Sequence, residues 1–347
     1  GTISDLRPEQ VIETLLSLLA SPNICSRGPV VRTYDHTILS NTVVPPLAAD
    51  AAVVRIKGTN KAIAVKTDCN PRYVYLDPYL GGQHAVAEAA RNVSCTGATP
   101  LALTNCLNFG SPEKPEGYFQ LQEAIKGMAS AAEALGTPVI SGNVSLYNES
   151  GEEAIPPTPT VGMVGLIDDV ERRVGMAVAA GDHLFLLGSR KPVLGGSEFL
   201  AYVHGFTAGA PPPLDLALEC RVQVLARDLI SSGTVSAAHD TSEGGLLVAL
   251  TEMFIAGKTG GRLDLSSLLS EREGRLDMAL FGEAASRIVI AAPESAIHEV
   301  RRRSSASDIE VIPLGIVGGD TVTVTGIGEF SVSEAIAAWS GGLVMGD

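Results

Sequence analysis

The organisation of this chain is best predicted from residues 136–149, whose sequence is GTPVISGNVSLYNE. The apolar run at 136–140 predicts a short buried strand, and the small polar residues after it predict a turn. Gly142 lets a ligand approach the backbone closely, and free N–H groups in such a turn can bind phosphate. Asn143 offers an amide oxygen that suits Mg²⁺, and Ser145 offers a hydroxyl. An ordinary polar turn explains the same residues, so both interpretations stay open on this evidence.

The composition indicates a folded chain of about two domains, since 347 residues with 45% hydrophobic content exceed one ordinary core. A net charge of −14 argues against nucleic acid or an anionic membrane as a partner. The five cysteines are odd in number and form no CxxC pair, which favours free thiols in a reducing cytoplasm. The sequence has neither a long apolar run nor a signal segment, so we expect no membrane span.

A charged connector at residues 168–173 predicts a boundary between an amino-terminal domain at 1–170 and a carboxy-terminal domain at 171–347. In the first domain the patterns predict helices at 5–20, 82–96 and 117–135, a hairpin of strands 53–57 and 62–65, and strands at 100–104 and 161–167. In the second they predict a strand at 184–188, helices at 214–231 and from near Ser242, a loop at 257–278, and strands at 287–292 and 310–317.

Carboxylate and amide side chains recur at positions that suit a metal site. Glu88 and Asn92 are four residues apart in an alanine-rich helix and share one face, although a solvated helix face has the same pattern. Asp50 lies among alanines just before a strand, which suggests a buried role. Asp68 ends the next strand and is either a further ligand or a turn residue before Pro71.

Residues 239–246, HDTSEGGL, follow a small-residue strand and open a helix. One interpretation places Asp240 on a metal, with the glycine pair and the helix N-terminus facing a phosphate. The other makes Asp240 or Ser242 the N-cap of the helix, and both roles use the same unsatisfied N–H groups.

Over nearly its whole length the chain resembles the synthetase part of phosphoribosylformylglycinamidine synthase, in the aminoimidazole-ribonucleotide-synthase superfamily. The resemblance is carried by Tyr34-Asp35-His36-Thr37, Thr42-Val43-Val44-Pro45, Thr67-Asp68-Cys69-Asn70, residues 73–79, Cys106-Leu107-Asn108-Phe109-Gly110, Pro112-Glu113-Lys114-Pro115, residues 141–149, residues 155–159, Leu194-Gly195-Gly196-Ser197-Glu198 and Phe281-Gly282-Glu283. It implies an α+β fold in which an A domain, with a mixed or antiparallel sheet able to pair with a second A domain into a β-barrel, is followed by an α/β-type B domain.

The synthetase of this family contains two similar halves, and the chain resembles the second. The first half carries the catalytic histidines in a Glu-Thr-His-Asn-His-Pro string, and the matching residues here are Lys66-Thr67-Asp68-Cys69-Asn70-Pro71. A substrate-binding Glu-Ser-Gln of the first half corresponds to Glu283-Ala284-Ala285. The resemblance therefore implies that this half holds no catalytic residue and is inactive alone.

The resemblance instead implies that this half contributes residues to the active site of the first half. Gly142 would contact ATP, Asn143 the Mg²⁺ ion and Ser145 formylglycinamide ribonucleotide; Asn105 stands where the family has an ATP-contacting Asp. An auxiliary nucleotide in this half would be held through Mg²⁺ by Asp50, Glu88, Asn92 and Asp240, with Ser242 close to the nucleotide. ATP or ADP and Mg²⁺ are the implied cofactors.

The activity so implied is an ATP-dependent C–N ligase of purine biosynthesis that takes its nitrogen from glutamine. The implied partners are the first half of the synthetase, a glutaminase subunit and a small bridging subunit, with self-association through the A domain as a further expectation. Two alternatives stay open: a non-catalytic nucleotide-binding module, and a stand-alone homodimer with its own ATP-dependent activity.

Overall fold

The structure is a computed structural model that describes residues 3–151, 153–270 and 275–343. Its amino-terminal part is built on a six-stranded sheet with the order β1-β2-β3-β8-β4-β5. The strands of this sheet are β1 (Thr42–Val44), β2 (Ala52–Arg55), β3 (Ala62–Asp68), β4 (Thr99–Asn108), β5 (Val139–Ser145) and β8 (Thr158–Ile167). Two further strands, β6 (Glu149–Ser150) and β7 (Glu153–Ala154), form a small separate hairpin. In this sheet β4 and β5 pair in parallel, whereas β3, β8 and β4 pair antiparallel.

Helices cover one face of this first sheet. The helices of this part are α1 (Pro8–Leu19), α2 (Gly28–Val31), α3 (Pro71–Leu76), α4 (Pro78–Cys95) and α5 (Pro115–Leu135). Gly127 of α5 lies against α4 so closely that a Cβ there would be 1.9 Å from the Tyr79 carbonyl oxygen. The small residues of α4 and α5 thus bring both helices onto Leu103 and Met163 of the sheet.

The carboxy-terminal part contains a seven-stranded sheet with the order β10-β12-β9-β13-β11-β14-β15. Its strands are β9 (Asp182–Gly188), β10 (Ala237–Asp240), β11 (Gly261–Leu263), β12 (Arg287–Pro293), β13 (Val311–Val317), β14 (Thr321–Val324) and β15 (Gly328–Ser331). Its helices are α6 (Leu216–Ser231), α7 (Gly245–Gly257), α8 (Ser266–Ser270), α9 (Leu276–Phe281), α10 (Ile297–Ala306) and α11 (Val332–Gly341). The sheet is mixed, because β11 pairs parallel with β14 and antiparallel with β13.

Both faces of the second sheet are buried at its strands β9 and β12. Side chains alternate along β9, so that Leu184 and Leu186 join one core while Phe185 and Leu187 join another. Helix α1 contributes its apolar stripe, Val11, Leu15, Leu18 and Leu19, to the first of these cores. The first helix of the chain therefore packs with the second sheet.

The predicted α+β class with mixed and antiparallel sheets is confirmed, and the first sheet is open rather than closed into a barrel. The domain boundary stays a prediction; β8 ends at Ile167 and β9 begins at Asp182. Among the described residues, no helix combines the length and the apolar character needed to cross a membrane.

Three local predictions were wrong. The run at 136–140 is not a buried strand: β5 is exposed and continues through Ser145, because it lies at the sheet edge. The helix near Ser242 begins only at Gly245, with Gly244 in the left-handed region at φ 80°. Residues 257–278, predicted as a loop, include β11 and α8. Strand β11 is too short to show a periodic pattern of apolar residues in the sequence.

Candidate functional site

Strand β5 and the turn at residues 146–149, together called the open edge, carry the polar residues of the motif at 136–149. In the parallel pairing, Asn105 lies opposite Gly142 and Asn108 lies opposite Ser145. A Cβ on Gly142 would be 2.2 Å from Asn105 Oδ1, so the Asn105 amide packs directly on the glycine. The structure thus brings together the two residues that the resemblance assigns to ATP.

Asn143 lies on the opposite face of β5 from the contact between Asn105 and Gly142. Its Nδ2 is 3.8 Å from the Sγ atom of Cys106, and Ser141 Oγ donates to Thr104 Oγ1 at 2.7 Å on that same face. Strand alternation places Ser145 on this face too. The four residues predicted to face ATP, Mg²⁺ and substrate are therefore neighbours in the sheet but divided between the two faces of the edge.

The turn after β5 is anchored by short-range hydrogen bonds. Asn148 Nδ2 donates to the carbonyl oxygens of Phe109 and Ser145, at 3.1 and 2.8 Å. Glu149 accepts from Ser111 N and from Lys114 Nζ, at 3.1 and 2.9 Å. These contacts join residues 109–114 to the turn and hold Ser145 at the end of the strand.

The outer face of the first sheet is apolar and uncovered. Val54, Ile63 and Val65 point outward from β2 and β3 with exposed fractions of 38, 37 and 43%. On β5, Ile140 and Val144 are also exposed, at 69 and 56%, but Val144 lies opposite Leu107 and thus on the helix side of this sheet edge. A contiguous apolar sheet face of this kind is typical of a surface that a partner covers.

A second group of polar residues, some of them predicted, lies where the two sheets meet. We call it the buried polar cluster, and it comprises Asp50, Asp68, Glu88, Arg91, Asn92, Glu219, His239 and Asp240. Two ion pairs centre on Arg91, which is 1% exposed: its Nε is 2.5 Å from Asp240 Oδ1 and its Nη1 is 2.9 Å from Glu219 Oε2. Arg91 thereby joins α4 of the first part to β10 and α6 of the second.

Asp50 is fully engaged within the chain. Its Oδ1 is 2.5 Å from His239 Nδ1, and its Oδ2 accepts from the backbone N–H of Asp240 at 2.8 Å. Although burial opposes it, this pairing holds the pKa of Asp50 below its usual value. Burial alone would lower the pKa of His239. Asp50 and Glu252 instead raise that pKa well above its usual value, so His239 is cationic.

The other carboxylates of the cluster lack such full pairing. Burial and the charges of Asp68 and Glu243 raise the pKa of Glu88 well above its usual value, and the carboxylate of Glu88 is 3.9 Å from Arg91. Burial and nearby carboxylates also raise the pKa of Asp68 to about 6. The Oδ2 atom of Asp240 is buried without a hydrogen-bond partner in the described part of the chain.

Asn92 connects two of these acidic groups. Its Nδ2 donates to Asp68 Oδ2 at 3.1 Å and to the Glu88 carbonyl oxygen at 2.9 Å. Across residues 3–151, 153–270 and 275–343, no group of three or more His, Cys, Asp or Glu side chains is arranged to hold a metal ion. The four predicted auxiliary ligands are thus neighbours, but they do not form a closed coordination shell.

The N-terminus of α7 receives a carboxylate from the same chain. Gly244 N donates to Glu283 Oε1 at 2.9 Å, Glu198 N donates to the same oxygen at 2.8 Å, and the Tyr73 hydroxyl donates to Glu283 Oε2. Neither Asp240, which lies in β10, nor Ser242 caps the helix; Ser242 only accepts a turn hydrogen bond from Gly245 N.

Sequence reasoning missed Arg91, Glu219 and the Tyr73–Glu283 contact. Arg91 follows Glu88 by three residues in an alanine-rich helix, and this was the available signal for a buried charge. Glu219 and Glu283 are brought in by tertiary packing at separations of 128 and 210 residues from their partners, so no local pattern marks them.

Two family models match the chain: the amino-terminal domain of AIR synthase related proteins at residues 48–167 and the carboxy-terminal domain at 179–327. The phosphoribosylformylglycinamidine synthase subunit PurL of Thermomicrobium roseum is 58% identical over 99% of this chain and 46% of its own length. The subunit PurL of Moorella thermoacetica is 48% identical over 91% of this chain and 43% of its own length. The chain spans about half the length of these relatives.

Solved structures of Thermotoga maritima PurL share the fold. The complex with FGAR has a TM-score of 0.76 and 18% identity, and the match covers 94% of this chain and 53% of that one. Other structures of the T. maritima protein are complexes with ADP and with ATP, and one is of PurLQS. At this identity the likeness supports the fold alone.

Proposed function

The chain belongs to the AIR synthase related proteins, and on that premise we propose that it is the second half of a phosphoribosylformylglycinamidine synthase subunit. Its role is to supply ATP, Mg²⁺ and substrate contacts to an active site whose catalytic histidines lie in the first half. The whole enzyme is an ATP-dependent ligase of purine biosynthesis, and we place it in the cytoplasm. This chain alone is inactive.

The observation that carries this proposal is the open edge. It presents Gly142 and Asn143 exposed and Ser145 half-buried, beside an uncovered apolar sheet face. A complete active site encloses its ligands in a cleft, whereas these residues face away from the rest of the chain. The apolar face supplies the surface on which a second A domain packs, and the missing half of the site comes with it.

The proposed reaction activates an amide. The glycinamide carbonyl oxygen of formylglycinamide ribonucleotide attacks the γ-phosphorus of ATP, so that ADP leaves and an iminophosphate forms. Ammonia released from glutamine then adds to the carbon, and inorganic phosphate leaves with its oxygen to give the amidine. Asn105 and Gly142 contribute to ATP binding, and Ser145 orients the substrate by its hydroxyl.

The Asn143 amide fits a Mg²⁺ ligand at this position. Its Nδ2 faces Cys106 Sγ, and the residue is exposed at the edge, which leaves the carbonyl oxygen free for a hard cation. When bound, the cation neutralises phosphate charge during phosphoryl transfer.

The auxiliary site fits a cation only in part. Glu88 and the unpartnered Oδ2 of Asp240 offer open oxygens, and Asn92 lies beside them. Asp50, in contrast, has both oxygens committed to His239 and to Asp240 N. We propose that Glu88, Asn92 and Asp240 hold the cation, that Asp50 orients β10 behind them, and that Ser242 borders the nucleotide.

The experiment mixes this chain with the part of the T. roseum subunit that it does not match. Formation of the amidine is assayed from formylglycinamide ribonucleotide, ATP and ammonium ion. We expect turnover in the mixture and none with either component alone. Ser145→Ala should reduce turnover in the mixture at least tenfold, because it removes a substrate contact without altering the strand. A matched control, Ser141→Ala, changes the hydroxyl four residues earlier on the same face.

Turnover by this chain alone would overturn the proposal and favour a stand-alone homodimer. A mixture that associates but stays inactive would favour a non-catalytic nucleotide-binding module. The further partners that we propose are a glutaminase subunit and a bridging subunit. When both are added, glutamine should take the place of ammonium ion as the nitrogen source in the same assay.

A further inference from the structure

Strand β3 directs a lysine toward the core. Alternate residues Ala62 and Ala64 are fully buried on the helix-covered face of the sheet, and Lys66 and Asp68 continue that row. Val65, between them, points outward and is 43% exposed. Lys66 therefore faces α4, the helix that carries Glu88 and Asn92, rather than solvent alone.

The ammonium group of Lys66 lies among carboxylates. Its Nζ is 3.7 Å from Asp68 Oδ2, and that same oxygen accepts from Asn92 on α4. The negative charges of Asp68, Asp50, Glu88 and Glu243 all act on Lys66 and, against burial, keep its pKa above the usual value. Lys66 is thus a tethered cation at the acidic end of the buried polar cluster.

The same cluster keeps oxygens available to a free cation. Asp240 is 2% exposed and its Oδ2 has no hydrogen-bond partner within the described residues. Glu88 is 7% exposed, and the nearest cation to its carboxylate, Arg91, is already held by Asp240 and Glu219. A buried carboxyl group without a full set of partners is neutralised by a proton or balanced by a positive charge, and in this cluster that charge comes from Lys66 or from an added ion.

We propose that Lys66 and a divalent cation are alternative counter-ions of Asp68 and Glu88, so that Lys66 sets the cation affinity of the cluster. Lysine suits this exchange because its charge sits on a flexible stem, and its side chain is 30% exposed, which gives it a way out. The inference rests on the proposed function only for the identity of the competing ion. It also gives Lys66, which replaces a metal-binding Glu of the first half, a role of its own.

The test is Lys66→Met with Mn²⁺ alone as the probe, followed by calorimetric titration and by thermal unfolding with and without chelator. We expect Lys66→Met to bind Mn²⁺ about tenfold more tightly than the parent, because one repelling charge is gone. In chelator it should melt at a lower temperature than the parent, and saturating Mn²⁺ should restore most of the difference. Lys66→Arg, which keeps the charge, should retain parental Mn²⁺ affinity.

Lys61→Met is the matched control, because Lys61 is on the same strand hairpin but pairs with Asp168 at the surface. It should change neither Mn²⁺ affinity nor the effect of chelator. If methionine prevents folding, Lys66→Gln makes the same prediction with a polar side chain.

Equal Mn²⁺ affinity of Lys66→Met and the parent would overturn the inference. The inference would also be overturned if Lys66→Met gained no Mn²⁺ affinity but lost its thermal response to Mg²⁺ with ADP, because Lys66 would then bind phosphate. These measurements use this chain alone, whereas the proposed function is tested by turnover in the mixture of halves, so the two can fail separately.

Discussion

The open edge and the buried polar cluster are both rich in the same kinds of side chain, but they use them in opposite ways. At the open edge, Gly142 and Asn143 are exposed and Asn143 has a single weak contact, to a cysteine sulfur. In the buried polar cluster, Arg91 is 1% exposed and spans two carboxylates. The polar groups of the open edge are available to bind a ligand, whereas those of the buried polar cluster already pair with one another and hold the two sheets together.

This difference follows from solvation. A polar group in water loses little when its partner is absent, so an exposed motif can wait for a ligand at almost no cost to folding. A buried charge has no such freedom, and removing one member of a pair leaves the other uncompensated. Substitutions in the buried polar cluster should therefore lower the free energy of unfolding strongly, whereas substitutions at the open edge should lower it only weakly.

Arg91→Ala should have the largest effect, a loss of about 4 kcal/mol in the free energy of unfolding. The substitution leaves Asp240 and Glu219 buried without their cation and disconnects α4 from β10. Urea denaturation followed by circular dichroism measures the change. Arg302→Ala is the control, because Arg302 pairs with Glu299 on an exposed helix face and should leave the urea midpoint almost unchanged. Equal losses in the two variants would contradict the view that burial decides the effect.

Glu283→Gln tests the junction at α7 through its pH dependence. Burial and the charge of Glu243 raise the pKa of Glu283 from 4.5 to about 7. The folded chain therefore holds this proton more tightly than the unfolded chain does. The resulting stabilisation is complete below pH 4.5 and is lost as the pH rises through 7.

Glutamine mimics the protonated carboxyl group at every pH, and it keeps an oxygen for Gly244 N. Relative to Glu283→Gln, the parent should thus lose about 3 kcal/mol of unfolding free energy between pH 4.5 and pH 7. Chemical denaturation at a series of pH values measures the difference. A difference that stays constant or grows in favour of the parent with rising pH would show that Glu283 is ionised throughout.

Gly142→Ala should cost less, about 1 kcal/mol, because the closest contact of the new Cβ is the Asn105 side chain, which can rotate, and the Asn105 carbonyl oxygen lies at 3.4 Å. The double variant Asn105→Ala with Gly142→Ala should recover most of that loss, and a double-mutant cycle from urea denaturation measures the coupling. Gly341→Ala, where a Cβ meets nothing within 4 Å, is the control. Additive losses would indicate that Asn105 does not pack on the glycine in solution.

The sequence predicted much of the first part of the fold. Helix α5 and its stop at Gly136, with φ 66°, follow from apolar periodicity and from the preference for glycine in the left-handed region. The hairpin of β2 and β3 follows from two apolar runs around a Gly-Thr-Asn turn. These are local signals, and each depends on residues close together in the chain.

What the sequence could not predict depends on long-range packing. The apolar residues of β5 resemble those of a buried strand, and only the sheet order reveals an uncovered edge. The glycine pair before α7 suggested a phosphate site, but Glu283, 39 residues from Gly244, occupies one of its N–H groups. The residues of the predicted cation site do lie together, yet Arg91 pairs with Asp240 and His239 pairs with Asp50, and only tertiary packing brings these partners together.

Ile140→Asp should have the smallest effect on folding and the sharpest effect on assembly. Ile140 is 69% exposed on β5, so an aspartate there stays hydrated and should change the unfolding free energy by less than about 0.5 kcal/mol. If the open edge packs against the first half, however, the same charge would be buried in the interface, and association should weaken at least a hundredfold. Val224→Asp, at a position of α6 that is 55% exposed, should leave both properties unchanged. Analytical ultracentrifugation of the mixture with the unmatched part of the T. roseum subunit measures the association. Parental association of Ile140→Asp would mean that the open edge stays in water, and the polar residues on β5 would then be a surface strand rather than half of a site.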